Sequence, residues 1–82
     1  MEITFETFIL SLGTAALIAL GEIDNPITKK KEKNIESAKQ HIDILDLLRE
    51  KTRQNLTKEE EHLLKEMLYN LQIKYVEQQK KS

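Results

Sequence analysis

The sequence predicts an all-α protein, a three-helix hairpin or bundle completed by homo-oligomerisation. Three observations predict it. Only two glycines and one proline interrupt 82 residues otherwise rich in Leu, Ile, Glu, Lys and Gln, a composition that favours helices. Apolar residues recur at three- and four-residue spacing in three segments separated by turn chemistry. The chain is also short enough for a single core to be thin, and it has no cysteine for disulfides or thiolate zinc sites. A partner chain is the remaining way to thicken that core.

The first helix is expected over residues 4–20. Its stretch TFILSLGTAALIALG, Thr7 to Gly21, runs fifteen residues without a charge. Fifteen residues rise only about 22 Å in a helix, short of the roughly 30 Å of a hydrocarbon core. Glu2 and Glu6 precede it and Glu22 and Asp24 follow, so the basic n-region of a signal peptide is missing. No Lys or Arg supplies the polar face of an interfacial helix either. No transmembrane span is therefore expected. A helix apolar all round should be buried all round. Phe5, Ile9, Leu12, Ala16 and Leu20 form one stripe, and Ser11, Ala15 and Ala19 form a second of small residues that would let another helix approach closely. Helix one is expected to be central, and two companion helices are too few to cover it.

Gly21 suits a left-handed C-cap, and Asp24-Asn25-Pro26 is turn chemistry, giving a loop over residues 21–33. Lys29, Lys30, Lys31 and Lys33 in that loop are expected to be solvated. The second helix is expected over residues 34–53, with Asn34 as N-cap and Glu36 in the first turn. Ile35, Ala38, Ile42 and Leu45 make its seam, widened by Ile44 and Leu48, while Leu47 lies off it. The third helix is expected over residues 57–78, opened by the capping box of Thr57 and Glu60, with residues 79–82 frayed. Leu63, Leu64, Met67, Leu68, Leu71 and Tyr75 form one broad stripe, and Tyr69, Ile73 and Val76 form another on the opposite side. A helix with two apolar faces sits between two things.

Charge and motifs exclude much of the functional range. Thirteen basic and fourteen acidic residues leave a net charge of −1, without the basic excess of a nucleic-acid module. There is no Gly-rich phosphate loop and no nucleophile elbow with a Ser-His-Asp order. No catalytic residue and no cofactor is expected. Glu59-x-x-His62, with Glu66 one turn on, matches a spacing that puts metal ligands on one helix face. These three are weak metal candidates, because they occupy a charged first turn where Glu59 already serves the helix dipole. His41 with Asp43 and Asp46 is weaker still, since those spacings do not share a face.

Three blocks, TFILSLGTAALIALGEIDNP, AKQHIDILDLLREKTRQNLTKEEEHLL and LYNLQIKYVE, cover nearly the whole chain. Together they resemble the bacterial family called domain of unknown function 1844. The resemblance implies a small, helical, cytoplasmic bacterial protein and implies no activity. The family pattern carries Gly ahead of Asn-Leu-Thr where this chain has Gln54, so Gln54 is expected to strain its turn if it takes a positive φ. The family's stretch after the proline is also less basic than ITKKKEK.

The expected function is a non-enzymatic, self-associating interaction or scaffold module, a dimer or higher, with room for an unidentified protein partner. Its interface residues are expected to be Ser11, Ala15, Ala19, Leu47, Tyr69, Ile73 and Val76. The alternatives are a carboxylate–histidine metal site shared across a dimer, and a peripheral membrane protein using helix one.

Overall fold

The computed structural model describes residues 3–81. Its elements are α1 (Phe5–Ala19), α2 (Ile35–Lys51) and α3 (Lys58–Lys81), with no strand among the described residues. All three pairs of helices are in contact. The shape is a slab, 37 × 31 × 16 Å, with a radius of gyration of 13.1 Å; a compact chain of this length would have about 12 Å.

Local chemistry sets the helix ends. Thr4 opens α1 through a reciprocal box with Thr7, whose backbone N–H donates to Thr4 Oγ1 at 3.1 Å while Thr7 Oγ1 accepts from Thr4 N–H at 2.9 Å. A Thr at the third position does here what Glu or Gln usually does. At the other end Gly21 takes φ +77°. Its N–H donates to Ile18 C=O and Glu22 N–H donates to Leu17 C=O, both at 3.0 Å, the paired bonds of a Schellman motif. Asn34 caps α2 by accepting from Ser37 N–H. Thr57 and Glu60 form the expected box on α3, with Glu60 Oε1 accepting from Thr57 N–H at 2.9 Å and Thr57 Oγ1 from Glu60 N–H at 3.1 Å.

The end of α3 differs from expectation. Residues 79–81 do not fray, because α3 continues through Lys81; Ser82 lies outside the described residues. Lys33 helps to hold that end, donating from Nζ to the Gln78 carbonyl at 3.1 Å, so this lysine is not simply solvated. The loop is also ordered from within. Asn25 Oδ1 accepts from Ile27 N–H, and Asn25 N–H donates to the Lys30 carbonyl. This Asx turn closes the chain onto itself. Asn34 N–H then donates to Ala19 C=O at 2.7 Å, tying the start of α2 to the end of α1.

The core is small. Ile9, Leu20, Ile42, Leu45, Leu64, Leu68 and Leu71 are its large members, with Ala16, Ala19 and Ala38 between them. It follows the first stripe expected on helix one and the seam expected on helix two. Within the single chain helix one is not enclosed. Ile9, Gly13, Ala16 and Ala19 of α1 are buried while Phe8, Leu10, Ser11 and Thr14 are exposed, so a single chain covers only one side of it. With two neighbours in a slab rather than a surrounding ring, the rest of its circumference faces outward.

Gln54 has φ +71°, the left-handed conformation that glycine adopts without strain. Gln54→Gly is expected to stabilise the fold by about 0.5 kcal/mol, the relief of roughly 1 kcal/mol of strain less the greater freedom of glycine in the unfolded chain. Urea denaturation of the two proteins measures it. No gain would mean that the turn carries no strain at this residue.

Candidate interaction surfaces

The outward side of α1 is the first surface. Successive residues turn by about 100°, which places Thr7, Phe8, Leu10, Ser11, Thr14, Ala15 and Ile18 together on the arc opposite Ile9. Five of these are exposed, and Ala15 and Ile18 are half-buried. None carries a charge, and the sole charged residue of Phe5–Ala19 is Glu6. The outer faces of α2 and α3 carry Lys39, Asp43, Glu50, Glu59, Lys65 and Glu66 among others. An uncharged helix face in a chain that is 33% charged is an unusual allocation of surface.

Small residues occur there, but not as the stripe expected. Ser11 is exposed, Ala15 is half-buried and Ala19 is inside the core. Each four-residue step turns by about 400°, so the stripe drifts by about 40° per step and ends in the chain's own interior. The close approach within the chain is made by Gly13 instead. A Cβ there would run into Met67 Sδ and lie 2.8 Å from Met67 Cε. Beside this contact Leu10, Thr14 and Leu17 of α1 face Met67, Asn70 and Lys74 of α3 across an open apolar groove of about 300 Å³.

The second surface is the far side of α3. Tyr69 is 64% exposed, and Ile73 and Val76 are also exposed. They lie opposite Leu64, Leu68 and Leu71, as the spacing predicts. On α2, Leu47 is 57% exposed and Ile44 is exposed beside it. In total ten large apolar side chains are exposed and seven are buried among the described residues. Scattered exposed apolar residues are ordinary, whereas Tyr69, Ile73 and Val76 are gathered on one helix face.

The candidate metal residues do not converge. His62 Nε2 lies 3.7 Å from Glu66 Oε1, both side chains are largely exposed, and the contact is an ion pair only when the imidazole is protonated. Glu59 is exposed on the preceding turn, and no cluster of three or more His, Asp or Glu that could hold a metal occurs among the described residues. His41 is half-buried, with Nδ1 2.8 Å from the Ser37 carbonyl, one turn back on its own helix. No helix among the described residues is long and apolar enough to cross a membrane.

A polar contact that the spacing does not reveal joins distant parts of the chain. Glu22, just after α1, accepts from Gln78 Nε2 at 3.1 Å and lies 3.9 Å from Lys74 Nζ. With Lys33 on the Gln78 carbonyl, it fastens the α1–α2 loop to the end of α3.

The family profile described as Domain of unknown function (DUF1844) matches residues 2–77. The chain belongs to that family. The match takes in all of α1 and α2 and most of α3, so both exposed apolar surfaces lie within the family's span. No curated protein and no solved structure matches the chain.

Proposed function

We propose that this member of the family is a non-enzymatic, self-associating helical module that works by presenting or holding other chains. The observation that carries the proposal is the uncharged outward face of α1, from Thr7 to Ile18. Water is a poor neighbour for such a face, and burying apolar area contributes about 25 cal/mol per Å². A second copy of the same helix fits it. Ser11, Thr14 and Ala15 are small enough to let two backbones approach, with Phe8, Leu10 and Ile18 as larger packing residues around them. A two-fold contact uses the same patch twice, which a face without charge tolerates because no like charges meet. A membrane surface fits less well, since the face has no Lys or Arg for anionic headgroups.

Light scattering after size exclusion, without detergent, tests the reading. Two or more copies of the 9.6 kDa chain are expected. Ser11→Glu is the informative variant, because Ser11 is exposed in the single chain and the substitution leaves the core intact. It is expected to weaken association at least tenfold while far-UV helicity is retained. A 9.6 kDa mass for the unaltered protein overturns the reading.

A further inference from the structure

We infer that the outer face of α3 is a second self-association surface, on which α3 of another copy lies antiparallel. The inference rests on the self-association reading and adds a face and a direction to it. His62, Glu66, Tyr69, Ile73, Val76 and Lys80 follow one another at alternating spacings of four and three, the seam of a two-helix coiled coil. All six are exposed, so nothing in the single chain occupies the seam. Tyr69, Ile73 and Val76 form its apolar centre, and the ends are polar.

Charge gives the direction. Residues 58–69 contain four Glu and two Lys, a net of −2, and residues 70–81 contain three Lys and one Glu, a net of +2. A parallel pair would set acid against acid at one end and base against base at the other. An antiparallel pair sets each acidic half against a basic half, and the helix dipoles align favourably as well. On the seam itself Glu66 of one copy stands opposite Val76 of the other, four residues, just over one turn, from Lys80. The same register places Tyr69 of one copy opposite Ile73 of the other, an aromatic–aliphatic layer that occurs twice about the two-fold axis.

The chain has no cysteine, which makes introduced thiols diagnostic. Tyr69→Cys and Ile73→Cys, each at an exposed position, would be prepared separately, then mixed and oxidised at low salt. The mixture is expected to give a disulfide-linked dimer containing one of each, at least fivefold more than either variant alone. Linkage of each variant to itself, in preference to the mixture, overturns the antiparallel direction. No linkage in any sample, while the unaltered protein has a multimeric mass, overturns this face as a contact and leaves the α1 reading standing. A monomeric unaltered protein removes both. Salt offers an independent check: raising it from 0.05 to about 0.5 M should weaken an antiparallel contact and would strengthen a parallel one.

Discussion

Replacing Leu45 with alanine is expected to cost about 3 kcal/mol and to lower the melting temperature by roughly 15 °C. Leu45 is fully buried on α2, the helix that meets both others through the shared core. Removing its isobutyl group loses the transfer free energy and leaves a cavity that rigid helices fill only partly. In many proteins such a loss is tolerable. Here the core has seven large side chains, and a chain of this size commonly has about 4–12 kcal/mol of total stability. Leu45→Ala should therefore remove between about a quarter and about three quarters of the total stability. Leu47→Ala, two residues along the same helix but 57% exposed, is the control and should change stability by under about 0.5 kcal/mol in the single chain. Thermal unfolding of both variants, followed by circular dichroism, makes the comparison. Equal shifts would mean that Leu47 is buried in the assembled protein.

Concentration separates the two contributions to stability. If self-association covers α1, the melting temperature of the unaltered protein rises with protein concentration, since only the folded chain assembles. Leu45→Ala should keep that dependence while shifting the whole curve downward. Ser11→Glu should remove much of the dependence and leave the dilute limit nearly unchanged. The two substitutions thus act on different links, one on packing within the chain and one on packing between chains.

What the sequence made legible was mostly local. Asn34, Gly21, and Thr57 with Glu60 announce helix ends because a cap is made by residues within a few positions of one another. The Thr4–Thr7 box was less visible, since its second hydroxyl replaces the usual Glu or Gln. The Lys33–Gln78 and Glu22–Gln78 contacts span 45 and 56 positions, and neither periodicity nor motif encodes such a pairing. The α1 surface was half legible. Its lack of charge is plain in the sequence, but which arc faces outward depends on where α2 and α3 lie. Small residues four apart suggested Ser11, Ala15 and Ala19, whereas the intrachain contact uses Gly13, and the drift of a four-residue step takes Ala19 into the core. The Tyr69, Ile73 and Val76 stripe was legible because alternating three and four steps keep to one side of a helix, and that side is left exposed here.

Of the two glycines Gly13 leaves the less room for a side chain, and substitutions there should separate helix propensity from packing. A glycine inside a helix costs about 1 kcal/mol relative to alanine, so Gly13→Ala would stabilise α1 if space allowed. The new methyl would instead meet Met67 Sδ and sit 2.8 Å from Cε and 3.2 Å from Cγ. Met67 is unbranched and can turn aside at a modest cost, so the two effects should nearly cancel. Gly13→Val adds two further carbons and a stiff χ1 that Met67 cannot clear, and is expected to destabilise by about 2 kcal/mol or more. In a Met67→Ala background the obstruction is gone. Gly13→Ala should then stabilise by up to about 1 kcal/mol, a coupling of similar size between the two sites in a double-mutant cycle. Additive effects would mean that α1 and α3 do not touch through this pair. Because Gly13 lets α1 lie close against α3 beside the Leu10–Leu17 groove, Gly13→Val should also disturb assembly, but only as fast as it unfolds the chain. Ser11→Glu, two residues away and facing outward, should disturb assembly while the fold persists.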